Sequence, residues 1–446
     1  MRLGEPGPVT RGTASTLAIA VLGALLGAPV APAAARAKDS TKLAPLHLDA
    51  LLVEVKERNP ELQAARSRSR AMAAVPPQVA ALDDPTLSYE AWNIPDSLRI
   101  DRADNNIFRL AQKFPFPGKR RLAGEMAAHE AERSRYEASG VELDVLAAVK
   151  IAYDDLWQAH ERLGVFEREK KLLERFAHAT EQKYSVGEVS QADVLRAHVE
   201  LTHVINQVQT EPLAIAAAEA ELNTLLSRPP GDPLGTPAGL REPRLPFSPE
   251  ALFETALAKR PELHAQQESI AREESAEELA RKNYYPDFEL SFGRFVNYGE
   301  SDGFGAMASV TLPFANASKY EAGVEEARAR LAAARSERRR FEDRARRDVQ
   351  QAFLKARAAL LQYELFSATH VPQAEQALRV AEGAYEAGQL GFLDLVDTLR
   401  RLESVHLEHI SAQADFERAY AELERVVGTE LPRPEAAPTS KVPSHG

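Results

Sequence analysis

A few acidic and histidine residues have the spacing that ligand chemistry requires. His406 and His409 stand three residues apart on a predicted helix and could share a metal ion. The chain has eleven histidines scattered over amphipathic helices and no cysteine, so a solvated histidine pair is the simpler interpretation. The chain has no G-x-S-x-G motif, no H-E-x-x-H motif and no phosphate-binding loop. The sequence therefore indicates neither an enzyme nor a bound cofactor.

A second acidic set lies close to two glycine-containing turns. Asp193 follows Gly187 by six residues, and Asp394 follows Gly388 by six. Either aspartate suits a helix start, where the helix dipole favours negative charge. Asp394 and Asp397 are also three apart, which places both carboxylates on one helix face.

The two turns belong to an internal duplication with a constant offset. Pro60 and Pro261, Pro85 and Pro286, Tyr184 and Tyr385, Gly187 and Gly388, and Asp193 and Asp394 are each 201 residues apart. Such regularity over a long chain is the signature of a tandem repeat.

Each copy contains a short helical stretch, two strands and two long helices. The predicted first repeat is 46–230, with strands near 85–93 and 105–114 and helices near 118–185 and 190–228. The predicted second repeat is 247–430, with strands near 286–298 and 302–314 and helices near 318–385 and 391–427. A Pro/Gly-rich linker at 231–246 joins them, and we expect a disordered tail at 431–446.

The helices are too long for a compact domain, and the strands are too few to stand alone. A helix over 118–185 would measure about 100 Å at ~1.5 Å per residue, and its apolar residues step by three and four as in a coiled coil. Four strands cannot close a sheet in lipid, where every backbone group must be paired. Several chains would therefore have to complete one barrel. The alternative is a small soluble sheet that caps a coiled coil.

The N-terminus and the charge indicate an exported protein. Residues 1–37 contain an apolar run followed by "APAAARA" and are predicted to be a secretory signal peptide. Removing them, with three arginines and one glutamate, changes the formal net charge from −11 to −13. Such an acidic protein is a poor candidate for nucleic-acid binding, so we interpret the basic clusters at 66–70 and 337–347 as solvated helix faces. Without a cysteine, the mature N-terminus cannot carry a lipid anchor.

In combination, these features resemble the TolC-type outer-membrane efflux ducts. The resemblance rests on the signal peptide, the two helix–hairpin–long-helix copies, "QKFPFPGKR" at 112–120 and the two glycine turns. It implies a mainly α fold with a small β part, in which long helical hairpins form a periplasmic barrel. It also implies a homotrimer whose four strands per chain build a twelve-stranded transmembrane β-barrel in the outer membrane of a Gram-negative bacterium.

The resemblance also implies partners and roles for particular residues. The partners are a periplasmic adaptor, an inner-membrane pump of RND type and outer-membrane lipid. The residues matching the family's pore gate are Asp394, Asp397, Asp193 and Tyr385, and Arg196 could replace a missing gate arginine by facing Asp397. The residues expected at the adaptor-docking tips are Gly187, Ser190, Leu195, Gly388 and Leu393. Aromatic residues expected at strand ends, as a membrane girdle, are Tyr89, Trp92, Phe108, Phe114, Tyr285 and Tyr298.

The cargo is less clearly indicated than the architecture. "FPFPGKR" looks most like the heavy-metal efflux branch of the family. Drug efflux and type I protein secretion use the same architecture and remain open. An exported periplasmic coiled-coil scaffold or adaptor without a pore is the alternative outside the family.

Overall fold

The computed structural model describes residues 44–433, without the side chains of residues 314 and 315. The predicted signal peptide lies outside these residues, as does most of the predicted tail. The helices of the first repeat are α1 (Leu48–Arg58), α2 (Pro60–Ala73), α3 (Val75–Ala80), α4 (Lys119–Ser185) and α5 (Gln191–Leu225). Its strands are β1 (Thr86–Trp92) and β2 (Asn105–Phe114).

The second repeat follows the same order. Its helices are α6 (Pro249–Lys259), α7 (Pro261–Lys282), α8 (Ala317–Leu365), α9 (Val371–Glu386) and α10 (Phe392–Val427), and its strands are β3 (Phe288–Asn297) and β4 (Gly303–Val310). The first residues of α1 and α6, of α2 and α7, and of α5 and α10 are each 201 positions apart. The mainly α tandem-repeat fold is thus confirmed. No helix within residues 44–433 is both long enough and apolar enough to cross a membrane.

A π-turn at Phe366–His370 interrupts the long helix of the second repeat. Before it, buried Val149 and Leu156 of α4 recur 200 residues later as buried Val349 and Ala356 of α8. After it, Ala177 recurs 201 residues later as buried Leu378. A π-turn accommodates one extra residue in a helix. The insertion therefore shifts the repeat offset by one without changing which face is buried.

The four strands form one antiparallel sheet in the order β1-β2-β3-β4. β2 and β3 pair across the two repeats, with Leu110 opposite Phe292 and Phe114 opposite Phe288. Within residues 44–433, the outer edges of β1 and β4 have no strand partner.

The linker and the start of the tail are held against the helices. Buried Tyr153 of α4 donates its hydroxyl hydrogen to the backbone oxygens of Leu46 and Ala238, each at 3.0 Å. The expectation of disorder from residue 431 is wrong for the three described residues. Leu431 is buried and its N–H donates to Glu424 at 3.0 Å, and Arg433 donates to the buried Glu417 at 2.5 Å. Pairing with buried carboxylates fixes this segment, a contact that composition does not reveal.

Candidate functional site

The two glycine turns have the same backbone geometry. Gly187 and Gly388 have φ values of +80° and +73°, a region that glycine enters without steric cost. The next residue donates its N–H back to the helix in both turns: Glu188 to the Lys183 oxygen at 2.9 Å, and Gln389 to the Ala384 oxygen at 2.8 Å. These bonds satisfy carbonyls that a helix end leaves free. Each turn therefore reverses the chain between two long helices.

The helices that leave the turns begin differently. Ser190 caps α5, because its hydroxyl accepts the Asp193 N–H at 3.3 Å while the Asp193 carboxylate accepts the Ser190 N–H at 3.2 Å. The equivalent residue at the start of α10 is Gly391, which has no capping side chain. Asp394 stands at the equivalent of Asp193, so its carboxylate has no capping hydroxyl to bind and is exposed.

Tyr385 joins the two repeats next to the turns. Its side chain is buried, and its hydroxyl lies 2.7 Å from the hydroxyl of buried Thr180 on α4. Lys183 donates to the Tyr385 backbone oxygen at 2.7 Å, and its ammonium lies 4.6 Å from the centre of the Tyr385 ring. Burial raises the pKa of Tyr385, the bond to Thr180 lowers it, and the nearby Asp193 carboxylate raises it further. The hydroxyl is therefore neutral near pH 7 and can donate a hydrogen bond.

The contacts of four candidate gate residues are defined within one chain. Tyr385 bonds to Thr180, whereas the Asp193 carboxylate caps its own helix. Arg196 lies 3.5 Å from Asp193, and Asp397 lies 3.6 Å from Arg400. The expectation that Arg196 faces Asp397 is therefore wrong for the single chain, since each charge has an opposite charge three residues away on its own helix.

The remaining turn residues divide into a buried and an exposed set. Phe392, Leu395, Val396 and Leu399 are buried in one apolar cluster with Tyr385. Asp394 and Asp397 lie on the other side of α10 and are exposed. Leu195 and Leu393 are also exposed, at 58% and 49%. Both the acidic pair and the two leucines are thus available to a neighbouring molecule.

A pair of carboxylates, Glu169 buried and Glu403 half-buried, lies farther along the same helices. Glu169 of α4 is 5% exposed, and one of its oxygens has no hydrogen-bond partner. Burial, and then the neighbouring Glu403 carboxylate of α10, raise the pKa of Glu169 to about 8. Sequence reasoning misses this pair, although Glu169 continues the buried stripe of Phe166, Leu173 and Ala177 on α4.

Each histidine of the candidate metal pair contacts another side chain. His409 stacks on Tyr363 with ring centres 5.2 Å apart, and His406 lies 3.9 Å from Glu375. Burial lowers the pKa of both histidines. Within residues 44–433, no three His, Asp or Glu side chains are placed to hold a metal ion together.

The sheet has one apolar and one polar face. The apolar face is exposed and contains Leu87, Tyr89, Phe108, Leu110, Phe288, Leu290, Phe292, Phe304 and Val310. On the polar face, Arg109 pairs with Glu90 at 3.2 Å, and Lys113 lies opposite Glu289. Alternation along each strand produces this division.

The aromatic residues are only partly at the strand ends. Trp92 ends β1, Phe114 ends β2, and Tyr298 directly follows β3. Tyr285 precedes β3 and stacks on Phe116 with ring centres 4.5 Å apart. The strand-end expectation is wrong for Tyr89 and Phe108, which face each other at the middle of β1. Period-2 patterning identifies a face but does not fix the position along a strand.

Comparison with known proteins identifies one protein family over most of the chain. The family model "Outer membrane efflux protein" matches residues 51–228 and again 252–429, two segments 201 residues apart. The chain is 22% identical over 385 residues to the cobalt-zinc-cadmium resistance protein CzcC of Cupriavidus metallidurans, covering 86% of this chain and 90% of CzcC.

Solved structures share the fold. The outer-membrane channel OprN is similar with a TM-score of 0.72 at 20% identity, over 86% of this chain and 90% of OprN. CusC, whose structures were described in terms of transmembrane channel formation, is similar with a TM-score of 0.72 at 14% identity, over 87% of this chain and 94% of CusC. At these identities the likeness concerns the fold alone.

Proposed function

Because the chain belongs to the outer membrane efflux protein family, we propose that it forms the outer-membrane duct of a tripartite efflux system. In this proposal three copies make one channel, and a periplasmic adaptor and an inner-membrane pump of RND type deliver the cargo to it. The duct conducts passively, so it needs no catalytic site and no cofactor.

The observation that carries this proposal is the sheet with one apolar face and two open edges. Leu87, Phe292 and Phe304 of the apolar face are between 57% and 74% exposed, which is costly in water and favourable in lipid. The open edges of β1 and β4 cannot remain unpaired in lipid. Neighbouring copies that pair β4 with β1 would close the wall, and three copies would give twelve strands, within the range of known barrels.

The turns would then form the periplasmic mouth of the duct. Three copies place six glycine turns around one axis. The exposed Asp394 and Asp397 of each chain would form rings of carboxylates, which favour cations over anions. Leu195 and Leu393, together with Gly187, Ser190 and Gly388 of the turns, would offer the adaptor its docking surface.

We propose divalent heavy-metal cations as the cargo. The named relative CzcC is a cobalt-zinc-cadmium resistance protein, and it aligns along most of both chains. The proposed carboxylate rings suit the passage of cations, and passage needs no tight binding site. If deletion of the gene left metal tolerance unchanged, metal cargo would be contradicted, and the cargo would instead be a drug or a protein.

Ion selectivity measured in planar bilayers tests whether Asp394 and Asp397 line the mouth of the duct. Changing both Asp394→Asn and Asp397→Asn should lower the cation-to-anion permeability ratio several-fold, because it removes six carboxylates from a trimer. Asp343→Asn, an exposed aspartate on α8, is the control and should leave the ratio unchanged. An unaltered ratio in the double variant would remove both residues from the pore.

A further inference from the structure

Two arginine-rich segments carry charge that the chain does not neutralise. Residues 66–70 of α2 contain three arginines and no acid, and residues 337–347 of α8 contain six arginines and three acids, although the whole chain has a formal net charge of −11. Exposed Arg70 and Arg339 each donate to the hydroxyl of the serine three residues earlier, at 3.0 Å and 3.1 Å. Neither has a carboxylate within 4.0 Å in the part of the chain that the structure describes.

Arg70 lines an open groove of about 640 Å³ between α2 and α4. Arg66, Arg135 and three serines line the same groove, and Glu142 is the one acid among these described lining residues. Arg66 donates to Glu142 at 3.1 Å, and Arg135 pairs with Glu132 beside the groove at 2.7 Å. Three guanidinium groups and several hydroxyls against one acid suit a ligand that carries carboxylates.

A second groove of about 630 Å³ continues the first across α4. Ser139 and Glu142 line both, and Lys259 adds a cation to the second. Tyr136 and His264 line it as well, with stacked rings whose centres are 5.0 Å apart. Flat rings with polar edges offer a surface against which a sugar ring can pack. The two grooves together are called the basic groove below.

The second repeat continues the basic surface at the same level of the long helices. With the offset of 200 that holds before the π-turn, Arg135 corresponds to Arg335, and Ser139 to Arg339. Arg335 is exposed and donates to Glu274 of α7 at 3.0 Å. In the proposed trimer, arginines of both repeats would therefore surround the helical cylinder at one level.

The basic groove lies outside the proposed bore and away from the bilayer. Lys56 of α1 and Lys259 of α6 line it, so these short helices lie on the same side of α4, where they would obstruct a bore. Arg135 follows Lys119, the first residue of α4, by sixteen positions, which is about 24 Å along the helix. Lipid headgroups extend only about 5–8 Å beyond the hydrocarbon core. The groove therefore faces the periplasm.

A helix on each side leaves this outer surface open. α7 packs against both α4 and α8, yet the groove at His264 is open. α2, the counterpart of α7, packs against α4 and would have a neighbouring copy on its other side. The groove beside α2 would therefore stay accessible in a trimer.

We propose that the basic groove binds the peptidoglycan of the periplasm, through the free carboxylates of its short peptides and the hydroxyls of its amino-sugar rings. A single exposed arginine–carboxylate pair contributes little. The polymer repeats its charges, however, so one strand can engage several grooves of a trimer, and linked contacts raise overall affinity by about 10²–10⁴-fold. This binding rests on the proposed duct, whose helices must cross the cell wall, and it would anchor the duct there.

Sedimentation of the full chain in detergent with purified Gram-negative sacculi tests the proposal. The natural protein should sediment with the sacculi, and amidation of their carboxylates should release it. Arg70→Glu with Arg339→Glu should lower the bound fraction at least several-fold, because two cations of each chain become anions. The matched control, Arg175→Glu with Arg401→Glu, makes the same charge change at exposed arginines and should bind like the natural protein. Arg175 lies about 60 Å farther along α4 than Arg135.

Light scattering in detergent should show both double variants as trimers, so that a loss of binding is not a loss of assembly. Arg70→Gln with Arg339→Gln, which removes the charges without reversing them, should lower binding to a smaller extent. Equal binding by the two Glu variants, or binding that survives amidation, would overturn the role of the groove. A natural trimer that does not sediment with sacculi would do the same and leave the duct intact, whereas a monomeric natural chain would overturn the duct as well.

Discussion

The contact between Tyr385 and Thr180 should hold the mouth closed. The two hydroxyls are 2.7 Å apart, and Thr180 also donates to the Phe176 oxygen at 2.7 Å. Tyr385→Phe removes one hydroxyl from a site that is 3% exposed, which should cost about 1 kcal/mol. The bond joins α4 to α9, so it is lost when these two helices separate. Three chains would then lose about 3 kcal/mol, roughly a 100-fold shift towards the open mouth.

Single-channel conductance in planar bilayers measures this shift. Tyr385→Phe should raise the open fraction strongly, whereas Tyr184→Phe should not. Tyr184 is the matched control, because it is the repeat counterpart of Tyr385 and is 47% exposed. Equal open fractions in the two variants would refute a role for the buried hydroxyl contact in closing the mouth.

Three further changes test other parts of the fold. Glu169 binds its proton more tightly in the folded than in the unfolded chain, so stability should fall as the pH rises from about 4.5 towards about 8. Glu169→Gln should therefore raise the melting temperature at pH 8.5 by several degrees and change it little at pH 4.5, and exposed Glu174→Gln should have no such effect. Gly388→Ala should lower stability because φ is +73°, whereas Gly383→Ala, within α9 and with open space around it, should raise it by about 0.5–1 kcal/mol. Arg433→Ala should lower stability by about 3–5 kcal/mol, because it leaves the buried Glu417 carboxylate without the cation that pairs with it. Circular dichroism melting measures all three.

The architecture could be predicted from the sequence because each motif occurs once in each repeat. Each glycine turn alone is a weak indication, but two turns 201 residues apart define two helical hairpins. The strand faces were predictable for a similar reason. Phe288, Leu290 and Phe292 alternate with polar or small residues, and the structure places them together on the exposed face.

Details that depend on a single contact could not be predicted. The repeat register assigns Arg196 to Asp397, but in the structure it lies 3.5 Å from Asp193, three residues earlier on its own helix. Arg433 belongs to a tail of polar and small residues, so its pairing with Glu417 is invisible in the composition. The π-turn at Phe366–His370 accommodates one extra residue in a helix. The motifs on either side of it keep the same offset of 201 residues, so they give no indication of the extra residue.

The mass and location of the natural protein test the central claim most directly. One chain has too little sheet to close against lipid, so the exported protein should be found in outer membranes, leave them only with detergent and sediment as a trimer. A monomer that stays in solution without detergent would contradict the duct, and the two turns would then be bends in a periplasmic scaffold.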